Sequence, residues 1–294
     1  MTTAALRLDS HVTPQLVGGI SCRFSDVTRQ RAIWRQDIGS LYQKILYDIA
    51  DTHHQIENQK LLRASRDRLK SYAKAQEENL ELLRKLLDDF ASGSSFVREV
   101  MGQQFAKGIG HEDLAFNYLN IFRDWAWTGS ENEQSFQMVQ AVLPPDKKFR
   151  NVLVIGAGAG RLSQDLYLHL KPDQLISADI NPLLCKVAHK MFQGEMIELH
   201  EFPYLPRDAQ RPFRKWNLKA RQATPEIQTV LCDFFEDGWT HEKFDLVVTP
   251  WFLDVHEQPV AKVLRQIQNL MAPKGTWLNF GPLMFKARQR AFLH

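Results

Sequence analysis

The sequence predicts an α/β protein in which a long helical region precedes a parallel sheet. Three observations carry that prediction. From about Phe24 to Phe90 the chain is charged, lacks Pro and holds a single Gly, conditions under which helices run long. VLVIGAGAGRL then opens with four consecutive branched apolar residues, Val152 to Ile155, the mark of a strand buried on both faces. Short apolar runs recur at Leu175 to Ala178, Thr229 to Leu231, Phe244 to Thr249 and Thr276 to Phe280, with helical text such as Pro259 to Met271 between some of them, which makes five strands of a βα alternation.

Taken in order, residues 1–23 read as an N-terminal arm: MTTAALRLDSHVTPQ carries Asp9 and His11 and has no long apolar run, so it does not read as a secretory leader. Residues 24–145 form the helical region. Ile38, Leu41, Ile45 and Ile49 make one stripe at helical spacing. Leu69, Tyr72, Leu80, Leu83, Leu87 and Phe90 make a second, interrupted by Gln76. Ser92-Gly93-Ser94-Ser95 breaks the pattern, helix resumes from Phe116 to Phe122 and again near Phe136 to Val142, and Pro144-Pro145 closes the region. Residues 146–294 form the sheet domain. Within it, residues 201–224 hold Pro203, Pro206, Pro212 and many basic side chains and read as a long irregular insertion near the site.

The chain has 294 residues, 44% apolar and 24% charged, with a net charge of +3, so it can bury a sizeable core. The slight positive excess gives no reason to expect a nucleic-acid or membrane partner. No stretch approaches the roughly 18 apolar residues that a membrane-spanning helix needs. Cys22, Cys185 and Cys232 lie far apart with no C-x-x-C pair, so a reducing, cytoplasmic setting is expected. The ten histidines show no H-E-x-x-H or comparable spacing, and no metal is predicted.

Gly156, Gly158 and Gly160 follow the first strand directly, where missing side chains let backbone amides approach a ligand. A dinucleotide fingerprint would require glycine at 161, and Arg161 stands there. Asp179 ends the next strand, nineteen residues after Gly160, where a carboxylate meets ribose hydroxyls. It also suits a capping role for the helix that follows. Asp233-Phe234 closes the third strand with an acceptor for an adenine amino group and an aromatic ring able to stack. Together these outline an adenosine pocket.

With these pieces assembled, the sequence resembles class I S-adenosylmethionine-dependent methyltransferases with a Rossmann-like sheet, and more narrowly the carnosine N-methyltransferase (N2227-like) family. The resemblance rests on Arg123-Asp124-Trp125 followed by Thr128-Gly129, the GAGAGRL loop, Asp233-Phe234, Trp251-Phe252-Leu253-Asp254, and Asn279-Phe280-Gly281-Pro282-Leu283. It covers roughly Phe122 to Phe285. It implies S-adenosyl-L-methionine as cofactor, held by Arg123, Gly156, Asp179, Asp233 and Phe234, with Asp254 touching the methyl acceptor. A guanidinium at 123 suits the donor's carboxylate. The implied acceptor is an imidazole nitrogen of a small molecule or peptide, which must be neutral, and Asp254 accepting from the other ring N–H fixes its tautomer.

Several positions depart from the family pattern. Asn120 stands where the family has a donor-holding glutamine, Pro250 where it has a cysteine, and Lys286 where it has a substrate-binding histidine. The family's last strands, with two substrate-binding tyrosines, have no counterpart before the chain stops at His294, so a sheet without the last of the usual seven strands is expected. Its open edge should be covered by the N-terminal helices, a second copy of the chain or another protein. His256 and Tyr204 are candidates for an altered acceptor pocket. The alternative to an enzyme is a non-catalytic partner or scaffold that keeps the fold.

Overall fold

The computed structural model describes residues 15–91, 114–203, 208, 212–236, 239, 243–255, 258–281 and 283. Gly18 and Gly19 both hold positive φ, 55° and 83°, as a two-residue hairpin turn of the mirror-image type demands. They join β1 (Gln15–Val17) to β2 (Ile20–Arg23), with Val17 opposite Ile20. Asp26 then caps α1 (Val27–Asn58), its carboxylate accepting from Arg29 N at 3.0 Å. This long helix runs beside α2 (Arg63–Leu87). The two predicted stripes meet: Ile38, Leu41, Leu83, Leu87 and Phe90 are buried, and the interrupting Gln76 is buried with them. Helices α3 (Leu114–Trp125) and α4 (Glu131–Val142) complete the region before the central strand.

The remaining chain alternates as predicted. Strand β3 (Asn151–Ile155) leads to α5 (Arg161–Leu170), β4 (Gln174–Asp179) and α6 (Pro182–Phe192). A small antiparallel pair follows, β5 (Ile197–Glu201) with β6 (Arg214–Leu218), before β7 (Gln228–Cys232) and β8 (Phe244–Pro250). Helix α7 (Val260–Leu270) and β9 (Met271–Phe280) close the described fold.

The main sheet has the order β1-β2-β7-β4-β3-β8-β9, and every strand except β1 runs parallel to its neighbours. Val152 and Val154 face the core shared with α5 and α6, while Leu153 and Ile155 face Val263, Ile267 and Leu270 of α7. Both faces are covered, which explains why β3 carries an unbroken apolar run instead of alternating. The chain winds from β3 to β4 and β7, then returns to place β8 on the other side of β3. That reversal puts a crevice between the carboxyl ends of β3 and β8, where open parallel sheets bind ligands.

Two expectations need correction. Part of the stretch read as an arm, residues 15–23, is a hairpin that adds two strands beside β7. Among the described residues the sheet therefore has seven strands, two of them from residues 15–23. The N-terminal segment thus covers the β7 edge; among the described strands β9 stands last on the other side. The insertion at 201–224 is not wholly irregular, because β6 pairs with β5 from Ile197↔Leu218 to Glu201↔Arg214.

Gly160 ends the turn between β3 and α5 at φ 92°, and a Cβ there would stand 2.7 Å from Phe192 Cζ and 2.9 Å from Ala188 Cβ. Left-handed backbone and overpacking both oppose a side chain. Gly160→Ala should therefore cost about 3 kcal/mol of stability, read from the urea midpoint; an unchanged midpoint would mean that α6 does not press on this turn.

Candidate active site

All three loop glycines occupy left-handed backbone, at φ 69° for Gly156, 60° for Gly158 and 92° for Gly160. A Cβ at Gly156 would lie 3.1 Å from the ring of Phe252. At Gly158 it would find only Asp124 Oδ2 at 3.8 Å and Arg123 Nη2 at 3.9 Å. The middle of the loop thus opens onto a carboxylate and a guanidinium.

Gly158 N–H donates to Asp179 Oδ2 at 2.7 Å, and Asn181 N–H donates to Asp179 Oδ1 at 2.9 Å. Burial nevertheless pushes the Asp179 carboxyl up to about 6, against the pull of those backbone donors and with the Asp124 charge adding to the rise. The cap of α6 is Asn181 rather than Asp179: its Oδ1 accepts from Leu183 N at 3.0 Å and Leu184 N at 3.1 Å. Asp179 acts one step back by holding the Asn181 backbone.

Helix α3 docks on the loop through Trp125, whose indole donates to Ala159 O at 2.8 Å. Arg161, which breaks the dinucleotide fingerprint, is fastened to both oxygens of Asp165 at 3.2 and 3.0 Å, and its guanidinium lies 5.8 Å from the Trp125 ring. Arg123 Nε donates to Asp124 Oδ1 at 3.0 Å. Burial raises the Asp124 carboxyl above its usual range, opposed by the Arg123 charge. Asn120 sits one turn before Arg123 and donates to Asn117 Oδ1 at 3.2 Å.

At the tip of β7, Asp233 Oδ1 accepts from Phe235 N at 2.8 Å. Asp233 also lines a cavity of about 390 Å³ with Ile180, Asn181, Gln30, Trp34 and Glu236, a volume in the range of small-ligand sites. The start of α1 forms one wall, clasped by Ser25, whose N–H and hydroxyl donate to Glu236 Oε2 at 2.8 and 2.9 Å. Asn181 Nδ2 is buried and without a hydrogen-bond partner among the described residues. The Phe234 ring is buried edge-on against Phe252 at 5.3 Å, so it belongs to the core and is not an open stacking face.

Pro250 ends β8 opposite Phe280, and Asp254 lies half-buried in the turn just beyond. His256, Lys286 and Tyr204 lie outside the described residues. The structure brings Arg123, Gly156, Gly158 and Asp179 together around the loop and sets Asp233 on the neighbouring cavity. Sequence reasoning missed Asp124, the Ser25–Glu236 clasp and the α1 wall; only Asp124, next to Arg123, left any local signal. Among the described residues no cluster of three or more His, Cys, Asp or Glu could hold a metal, and no helix is long and apolar enough to cross a membrane.

A nucleoside-bearing donor fits these residues: the glycine loop tolerates close approach, Asp179 and Asp233 supply acceptors, and the buried Asn181 amide has no partner among the described residues. By topology and site, the chain has the fold of class I S-adenosylmethionine-dependent methyltransferases. Within that class it resembles the carnosine N-methyltransferases, whose family model matches residues 211–291. A carnosine N-methyltransferase of Drosophila melanogaster is 26% identical over 183 residues, 56% of this chain, and the chain spans 40% of that relative's length. Among solved structures, an S-adenosylmethionine-dependent methyltransferase from Clostridium acetobutylicum is 14% identical, covering 56% of each chain with a TM-score of 0.36. Phosphoethanolamine N-methyltransferase 2 of Haemonchus contortus, solved with S-adenosylhomocysteine, is 17% identical over 67% of this chain and 34% of its own, with a TM-score of 0.36.

The raised Asp179 carboxyl has a measurable consequence. Its folded value of about 6 exceeds the ordinary aspartate value of 3.8, so between those values the folded chain binds more protons than the unfolded one. The group's stabilisation is complete below the lower value and is lost as pH rises through the higher one. Asp179→Asn cannot titrate. The stability of wild type minus that of the variant, measured by urea denaturation, should fall between about pH 4 and pH 6 and then level off. A flat difference across that window would contradict the burial of the carboxylate.

Proposed function

We propose that the chain is an S-adenosylmethionine-dependent N-methyltransferase acting on an imidazole-type nitrogen of a small molecule or peptide. The observation that carries this reading is the gathering of loop amides, Asp179 and Arg123 at the carboxyl end of the sheet, next to the turn that bears Asp254. The family match supports it, since residues 211–291 include β7, β8 and Asp254.

The cofactor supplies an electrophilic methyl group on a sulfonium with a good leaving group. The chain's own work is to align the acceptor and exclude water. Gly158 and its neighbours let the backbone approach, Asp179 accepts from the ribose hydroxyls, and Asp233 accepts from the adenine amino group. Arg123 grips the donor's carboxylate. Asp254 would accept from the far N–H of the acceptor ring, leaving the other nitrogen's lone pair free; methyl transfer to it would break the S–CH3 bond, release S-adenosylhomocysteine, and leave the ring N–H proton to be shed toward Asp254. The β9 edge is the place for a second copy of the chain or a partner subunit. The three buried free cysteines, their thiols pushed up by burial, fit a cytoplasmic setting.

Two measurements test the proposal. Calorimetric titration should show binding of S-adenosylmethionine and S-adenosylhomocysteine, strengthening from pH 5 to pH 7 as Asp179 loses its proton. With methyl-labelled donor and a panel of histidine-containing dipeptides, Asp254→Ala should lower turnover by about 100-fold or more while product affinity stays within about twofold. Donor binding with no labelled acceptor in any mixture would replace the enzyme by a partner or scaffold protein.

A further inference from the structure

Trp251 has backbone that a bulky side chain seldom adopts. It holds φ 48° at the end of β8, a left-handed conformation that is unfavourable for a large residue and that collects at functional sites. Its surroundings fix that conformation from three sides. Trp251 N–H donates to Phe280 O at 2.6 Å. The indole meets the Phe280 ring edge-on, with centroids 4.7 Å apart at 78°. Gly281, at φ 124°, leaves open the space that the indole fills, because a Cβ there would stand 2.8 Å from Trp251 Cδ1.

The held indole meets Arg123 of α3, whose guanidinium carbon lies 5.3 Å from the ring centroid, within the range of cation–π attraction. Asp124 grips the same guanidinium at one edge, through Nε and Nη2, both 3.0 Å from Oδ1. A guanidinium is a planar fork, so a hydrogen-bonded edge together with an aromatic ring beside it limits how it can turn. Asp124 alone leaves it free to swing about that edge.

We infer that Trp251 is a positioning residue that fixes the Arg123 guanidinium over the glycine loop, so that its fork meets the carboxylate of the methyl donor in a set orientation. This rests on the reading of Arg123 as the carboxylate holder. Trp251 thereby links the acceptor side of the crevice, at the tip of β8, to the amino-acid end of the donor.

The test separates this role from plain packing by asking whether the effect depends on the ligand's carboxylate. Two ligands are titrated calorimetrically: S-adenosylhomocysteine, and 5′-methylthioadenosine, which has the adenosine thioether and lacks the amino-acid end. Trp251→Leu should weaken S-adenosylhomocysteine by about tenfold and methylthioadenosine by less than about twofold. Trp251→Phe, which keeps an aromatic face, should recover most of the loss and serves as the folded control. In an Arg123→Ala background, Trp251→Leu should cost S-adenosylhomocysteine nothing further, since the two residues act as one unit. Equal weakening of both ligands, no weakening of either, or a full tryptophan effect without Arg123 would each overturn the inference while leaving the donor site standing. If Arg123→Ala leaves S-adenosylhomocysteine binding unchanged, the reading of Arg123 is wrong and the inference falls with it.

Discussion

The hydrogen bond from Gly158 N–H to the Asp179 carboxylate joins the tips of the two central strands, and the arrangement of the crevice depends on it. It forms only because the loop passes through three left-handed glycines, which turn its amides toward the next strand instead of into a helix. The carboxylate is half-buried, and the cost of its withdrawal from water appears as its raised proton affinity. That combination leaves the site ready for a ligand with hydroxyl donors. A hydroxyl donor brought to it would favour the ionised form.

The same bond organises what lies beyond it. By also accepting from Asn181 N–H, Asp179 places the residue that caps α6. Helix α6 in turn presses Ala188 and Phe192 against Gly160, so the loop is confined by a strand tip on one side and a helix flank on the other. On the outer side Trp125 ties α3 to Ala159 O, which is how Arg123 comes to stand over Gly158. A rigid support of this kind is what alignment chemistry requires, since small displacements of a gripping side chain cost much of its effect.

Much of this was legible in the sequence because it rests on local rules. Four branched apolar residues require a strand buried on both faces, and glycines following a strand require a tight approach. The parts that were not legible depend on contacts distant in sequence. β1 has three residues, and its signal was the Gly18-Gly19 pair flanked by Val17 and Ile20, too short for periodicity to register. β6 is Arg-Lys-Trp-Asn-Leu with mostly exposed or half-exposed positions, so its strand character comes from pairing with β5 rather than from a buried face. Phe234 looked like a stacking ring, but residue type cannot say which way a ring turns; the Phe235 and Phe252 rings beside it draw it into the core. Nothing in the local sequence announces that Trp251 is left-handed, since its contacts are with Phe280 at the end of the neighbouring strand and with Gly281 just beyond it.

The helical region is therefore more than an appendage. Tyr118 accepts from the Asn79 amide and donates to His200 O at 2.8 and 2.7 Å, and Asn79 accepts from His200 N–H at 3.0 Å. These bonds tie α2 and α3 to β5 in a partly buried network. Lys186 of α6 binds both Asp89 and Gly18 O, bringing the end of α2 and the first hairpin to the sheet's own helix. Helix α1, packed along α2 and clasped at its start by Ser25 and Glu236, lies where Gln30 and Trp34 wall the cavity beside Asp233. Helices and strand tips thus share one pocket, and removing the helices would expose the Asp233 side of the crevice to water as well as removing a layer of the core.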